Sequence, residues 1–479
     1  MSDIVGTSEA GPAAIRGGIL RAGAFAGGLL LGIVAAPLLV RHLGDADFGR
    51  YSAVLAVIMI VNGLTEGGIN TIAVRELSSR QDPVERDRVM RDLLGLRMVL
   101  SAVGIALAVA FSAAAGYGGT LVLGTFVGAV GMATVVLQTL VATVLQSRLR
   151  FGWAALIELV RQAFVAATIV VLVVLDGSVL AFLAASVPAA VVALAITVAL
   201  VRGTIALRPA FHPRRWLPLL RETLAVAIAV AVNAIYFRVA LVVTSLVAAA
   251  VETGTFAISY RVMEILAGVP ALLLGAAFPI VSRAARSDRA RFQYASERMF
   301  ELSVLFGALA ALSLALAAPF VIQVLTGDAH HPATVVLQIQ SAAVLASFVA
   351  SGAGFPLLAL GRFRAAVIAN CVPLVLVAVL ALVLAKPYGA QGAAIAATAA
   401  DFALAVTTSL LLVRKGGPSL PLSVLPVALV AAACGLGAGL LLGVHPLVDA
   451  AVGALVYLAV LALLRRFPPE VGELLRRRR

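Results

Sequence analysis

Arg202-Gly203-Thr204-Ile205-Ala206-Leu207-Arg208-Pro209-Ala210-Phe211-His212-Pro213-Arg214-Arg215-Trp216 is the longest internal polar link in the chain, and it decides how the rest is read. Its four arginines and two prolines stand between two long apolar stretches, 178–201 and 218–247. Each stretch meets the roughly 20 residues that a bilayer-crossing helix needs. Arginine-rich links mark the cytoplasmic side of a membrane protein. The link is therefore expected inside, and the next link on either side outside.

Working outward from it gives fourteen expected spans. They lie near 17–40, 50–74, 92–115, 119–146, 152–175, 178–201, 218–247, 253–281, 296–320, 333–360, 365–385, 389–413, 421–443 and 446–464. The charge pattern checks this count. Of 36 Lys and Arg residues, 29 fall in the N-terminus, in every second link and in the C-terminus. Only Arg41, Arg50 and Lys386 fall in the alternate links, and Arg97, Arg161, Arg238 and Arg261 lie inside stretches. A missed or invented span would swap the side of every later link. The bias predicts a multi-pass protein of the cytoplasmic (inner) membrane with both ends in the cytoplasm.

Composition agrees. The chain is 62% hydrophobic and 12% charged, against roughly 25% charged in soluble domains, which excludes a soluble fold. The net charge of +13 sits in short clusters such as Arg283, Arg286, Arg289 and Arg291, with no aromatic-rich basic domain. A nucleic-acid partner is not expected. Cys371 and Cys434 lie in apolar spans and suggest neither a zinc site nor a disulfide framework. Asp3, Glu9 and the length of the first span argue for a retained helix rather than a signal peptide.

A faint repeat divides the chain. Asp47-Phe48-Gly49-Arg50-Tyr51-Ser52 opens the second span, and Glu252-Thr253-Gly254-Thr255-Phe256-Ala257 opens the eighth, 205 residues later. Both enter from outside, so the repeat is parallel. The expected organisation is a cytoplasmic N-terminus (1–16), a six-helix lobe (17–202), a cytoplasmic linker (203–217), a second six-helix lobe (218–413), two further helices (414–465) and a basic tail (466–479).

Charged residues at membrane depth usually face a bundle interior or a water-filled cavity. Arg238 lies 12 residues before the turn at Ala250, and Arg261 lies 11 after it. Both should sit about 17 Å below the outer surface. Their planar forks suit a phosphate; Arg261 could instead pair with Glu264 one turn on. Arg97, about 9 Å inside the cytoplasmic end of span three, joins Arg16 and Arg21 as a candidate cationic mouth. Asn62, Glu66 and Asn70 are spaced as one polar stripe, loosened by Gly67 and Gly68. With Asp401 in span twelve they are candidates for coupling to H⁺ or Na⁺. Glu158 and Arg161 read as a structural i, i+3 pair.

No enzyme constellation stands out. His42, His212, His330, His331 and His445 are scattered, and the His330-His331 doublet near Asp328 is a weak metal signal. With no phosphate loop, no cofactor is expected. Energy would come from an ion gradient, the membrane potential or consumption of the product.

Arg41-His42-Leu43-Gly44-Asp45-Ala46-Asp47-Phe48-Gly49-Arg50-Tyr51 closely resembles the loop after the first helix of bacterial polysaccharide flippases. Glu66-Gly67-Gly68 followed by Val74-Arg75-Glu76-Leu77 resembles their second helix, with Gly67 where a leucine is expected. Phe278-Pro279 and Tyr388-Gly389-Ala390-Gln391-Gly392-Ala393-Ala394 fit the same family. The resemblance implies the multidrug/oligosaccharidyl-lipid/polysaccharide (MOP) exporter superfamily, and within it the O-antigen type flippases. It implies an all-α fold of about fourteen helices, with two six-helix lobes around a central cavity plus two C-terminal helices. It implies alternating access, and a cationic cavity for an undecaprenyl-pyrophosphate-linked oligosaccharide whose lipid tail stays among the membrane lipids. Arg238 and Arg261 are in a plausible place for that duty. One chain suffices for such a cavity, and a glycan polymerase is a candidate contact. A lipid II flippase or a drug–cation antiporter is the alternative within the superfamily. The deep arginines disfavour cationic drugs, and the short outward links disfavour a glycan polymerase or ligase.

Overall fold

The computed structural model describes residues 10–80, 82–148, 150–414 and 417–464. Among them every regular element is a helix. Twelve stretches are long and apolar enough to cross a membrane. Two of these, Ala26–Ser79 and Arg364–Val413, run for 54 and 50 residues, about twice what a bilayer takes. Each contains a glycine outside helical geometry, Gly44 (φ 66°, ψ 175°) and Gly389 (φ 53°, ψ −131°). One span on either side of each glycine brings the twelve to the fourteen read from the sequence.

The chain forms two compact units, Met1–Arg238 and Val239–Arg479. The border falls inside α8 (Pro213–Val247). The first unit holds α1 (Ala10–Glu66), α2 (Ile69–Ser79), α3 (Pro83–Ala114), α4 (Gly119–Ser147), α5 (Phe151–Val174), α6 (Val179–Ala184), α7 (Ser186–Val201) and the first part of α8. Met90, Leu93, Leu140, Leu145 and Trp216 meet in its main core, where α3, α4 and the polar link come together. The link is strapped to α3. Ala206 donates its amide to Asp87 Oδ1 at 2.8 Å, and Ala210 donates to Arg91 O at 2.8 Å. Gly95 is small because the Ala210 carbonyl lies where a Cβ would stand.

Three expected spans end early or split. Span two, expected over 50–74, stops at Glu66, because Gly67 (φ 55°) and Gly68 (φ 70°) take left-handed geometry that helices exclude. Span six divides at Ala185 into α6 and α7. Span eight, expected over 253–281, stops at Gly275; α10 (Phe278–Ser287) restarts with Pro279 in its first turn. Proline has no amide to give and is tolerated there.

The second unit holds the rest of α8, then α9 (Ala250–Gly275), α10, α11 (Arg289–Thr326), α12 (Ala333–Ala359), α13 (Phe363–Val413), α14 (Val424–Leu442) and α15 (Pro446–Leu463). Its helices approach closely at small residues: Gly307 lies against Leu345 and Phe348, and Gly435 against Gly453. In lipid, helix association depends on such packing. α11, α14 and α15 share a core that includes Phe300, Leu312, Ala431 and Tyr457, whose hydroxyl donates to Leu305 O at 2.9 Å. The outer surface is apolar, with Val34, Val174, Leu441 and Leu463 all largely exposed. Such a surface suits lipid rather than water.

The acidic residues that open the two halves of the expected repeat have different partners. In the second unit, Glu252 Oε2 accepts from the Ala390 amide at 2.8 Å, at the Gly389 break. The first unit joins its corresponding turns differently. His42 Nε2 donates to Gly177 O at 2.9 Å, and Asp47 pairs with Arg50 at 2.7 Å.

Candidate functional site

The most buried charge in the described residues stands at the end of α1. Arg97, on α3, is 1% exposed. Its NH1 donates to the carbonyls of Thr65 (3.0 Å) and Glu66 (3.2 Å). These are the last carbonyls of α1, which a helix end leaves without amide partners. The Arg97 Nε and NH2 atoms are buried with no hydrogen-bond partner. Arg97, expected at a cationic mouth, is thus enclosed and turned onto backbone. Its length and charge let it cap a helix that two glycines have interrupted.

The expected stripe of Asn62, Glu66 and Asn70 does not run along one helix. Asn62 and Glu66 lie on α1, Asn70 on α2, and the break stands between them. Asn62, Thr65 and Ser101 bring polar atoms to a small cavity among α1, α3 and α4 that also touches Ile58, Gly104 and Met132. Asn70 donates from Nδ2 to Thr139 Oγ1 at 3.4 Å, and its Oδ1 is buried without a partner.

α8 crosses α1 near the same break. Gly63 meets the Ala234 methyl, and Gly67 lies opposite Ala227. Arg238 is one helical turn beyond Ala234, half-buried, and is the last residue of the first unit. Arg261 lies in the second unit on α9. Its NH1 donates to Glu264 Oε2 at 3.0 Å, with side chains 46% and 19% exposed. Asp401 is half-buried in the second part of α13. Arg161 donates from Nε to Glu158 at 3.0 Å on α5. The side chains of Arg16 and Arg21 lie outside the described residues, as does Lys415.

Some polar contacts were not expected. Asp92, 6% exposed on α3, faces His212 Nδ1 at 3.4 Å and Arg215 NH1 at 3.6 Å from the polar link. Arg362 donates from NH1 to the carbonyls of Leu412 (3.2 Å) and Arg414 (2.8 Å) at the end of α13. His331 Nδ1 accepts from the Ala333 amide at 3.1 Å at the start of α12. Both segments of the Asp92 contact are charged in the sequence, but nothing local pairs residues so far apart in the chain.

Comparison with known proteins adds the family. A family model described as "Polysaccharide biosynthesis protein" matches residues 16–285. No curated protein sequence matches the chain. Among solved structures, an inward-closed lipid II flippase MurJ superposes with a TM-score of 0.78 at 15% identity, covering 94% of this chain and 99% of its own. An inward-facing multidrug resistance MATE transporter of the MOP superfamily gives 0.62 at 15% identity, covering 80% and 93%. A MOP superfamily transporter from Pyrococcus furiosus gives 0.54 at 16% identity, covering 83% and 94%. At such identities the likeness establishes the fold: a multi-pass helical membrane protein built like MurJ and the MATE transporters.

Proposed function

The chain belongs to the polysaccharide biosynthesis protein family, and on that premise we propose that it flips an undecaprenyl-pyrophosphate-linked oligosaccharide across the cytoplasmic membrane by alternating access. The coarser activity, transport or flipping by a MOP-superfamily protein, follows from the family and the fold. The cargo class rests on Arg261. Its guanidinium is inside an apolar span yet 46% exposed, and an exposed charge at that depth calls for a water-filled cavity. One carboxylate takes one of its nitrogens, which leaves the rest of a planar fork suited to phosphate.

Arg238 and Arg261 are assigned to the pyrophosphate, and Arg21 to the inner approach. Glu66 and Asp401 are assigned to ion coupling, with both termini in the cytoplasm. Arg97, closed off against the end of α1, is not assigned to the cargo. The six-helix lobes 17–202 and 218–413, the linker 203–217 and the helices of 414–465 remain the division on which this reading rests. A glycan polymerase is a candidate neighbour for the delivered product.

Binding of the lipid-linked oligosaccharide to purified protein tests this. One lost charge-assisted hydrogen bond is worth about 1.5–3 kcal/mol, so Arg261→Ala and Arg238→Ala should each weaken binding roughly 10- to 150-fold. Lys at either position should weaken it less, keeping charge without the fork. Wild-type binding and flipping in both folded Ala variants would remove these residues from the cargo site. The fold match to MurJ gives a second reading, lipid II as cargo. Competition decides between them: under that reading, lipid II displaces the bound probe at lower concentration than the polysaccharide precursor does.

A further inference from the structure

The end of α1 holds donors and acceptors that do not match in the observed arrangement. Arg97 carries five N–H donors in a fixed fork. NH1 serves the Thr65 and Glu66 carbonyls, while Nε and NH2 are enclosed with no acceptor. Buried donors left unmet work against the state that contains them. Glu66, whose carbonyl NH1 already holds, also carries a carboxylate. No hydrogen bond joins that carboxylate to the Nε or NH2 of Arg97. The two carbonyls also have rival donors. In an unbroken helix they would accept from the amides of Ile69 and Asn70, four residues on. Gly67 and Gly68 prevent this by their left-handed geometry. Crowding does not require glycine at 67: a methyl there would stand 3.7 Å from the Ala227 methyl, an ordinary contact.

We propose that Arg97 is the positioning residue of a two-state break between α1 and α2. In the observed state NH1 holds the Thr65 and Glu66 carbonyls and the helix is interrupted. In the second state Gly67 and Gly68 enter the helix, and the two carbonyls take the amides of Ile69 and Asn70. The freed guanidinium then receives the Glu66 carboxylate on its Nε and NH2 donors. The exchange keeps the carbonyls satisfied and gives the two unmet donors an acceptor, in the bidentate geometry that arginine favours. Two arrangements that each satisfy most of the same groups make an element that a bound ligand can bias. The device belongs to the first unit alone: a shift of 205 residues places Ala271 and Leu302 where Glu66 and Arg97 stand. It is independent of the cargo assigned above.

Spin labels at Arg50→Cys and Ser79→Cys, in a Cys371→Ala, Cys434→Ala background, report the break through double electron–electron resonance. A continuous helix would separate the backbones by about 43 Å, and the broken form brings them nearer. The wild type should show both populations. Glu66→Gln keeps the shape but removes the charged acceptor, so it should deplete the long distance. Gly67→Ala should enrich it roughly 5- to 30-fold, since left-handed geometry is disfavoured for alanine. Any other pattern, including an unchanged distribution in either folded variant, overturns the proposal; if one variant fails to fold, the other decides.

Discussion

Single residues in this protein act mostly on backbone at helix interruptions. Glu252 is the clearest case beside Arg97. Its carboxylate accepts from the Ala390 amide and also lies where a Cβ on Gly389 would stand. Gly389→Ala meets both that carboxylate and a backbone region (φ 53°, ψ −131°) nearly closed to other residues. Such strain costs about 1–3 kcal/mol. Gly389→Ala should therefore lower the thermal-unfolding midpoint in detergent by several degrees, and more than Glu252→Gln does, because Gln can still accept from Ala390. A midpoint at or above that of the wild type would contradict this account. The acidic residue and the Tyr388-Gly389-Ala390 turn were both visible in the sequence. Their partnership was not, since 138 residues separate them.

Among the elements, helix existence was legible and helix faces were not. A soluble helix shows its buried side as an apolar stripe. Here lipid is as apolar as the interior, so both faces read alike, and the packed side is marked by small residues instead. α14 and α15 show this. A Cβ on Gly453 would meet the Leu316 side chain and, at 2.9 Å, the Gly435 carbonyl. Gly453→Val should force the two helices apart. Overpacking typically costs about 1–3 kcal/mol, and a backbone obstacle cannot move aside as a side chain does. Thermal unfolding should show the loss, while Leu440→Val on the exposed face of α14 should leave stability within about 0.5 kcal/mol. Equal effects of the two would show that the glycine contact does not hold the pair. The interrupted spans were misjudged for a related reason. Hydropathy runs on through both breaks; left-handed geometry at Gly67 and Gly68 ends one helix, and the next helix after Gly275 restarts at Pro279, which has no amide to donate.

For the whole molecule, the alternation of arginines makes a prediction about sidedness. Gly118 and Asp449 should face outside, and Arg214 and Arg286 inside. Cysteine placed at each, in the Cys371→Ala, Cys434→Ala background, can be challenged with a membrane-impermeant thiol reagent in intact cells. Labelling at 118 and 449 but not at 214 and 286 is expected. Labelling at 286 from outside would break the fourteen-span topology. Arg214 and Arg286 are both exposed, so protection at these sites would reflect the membrane and not burial.

Composition, span count and charge alternation determined by themselves that this chain is a multi-pass helical membrane protein, because bilayer thickness and the cost of burying charge act on local sequence. The motifs around Gly44 and Glu66 pointed to the polysaccharide family whose model matches residues 16–285. The i, i+3 pairs Arg161–Glu158 and Arg261–Glu264 were already readable from spacing. Tertiary structure alone decided the role of Arg97, which caps α1 from another helix. Depth along a helix follows from counting residues, but the partner of a long side chain depends on which helices meet. That is set by close contacts of small residues such as Gly63 with Ala234, which leave no periodic trace in the sequence.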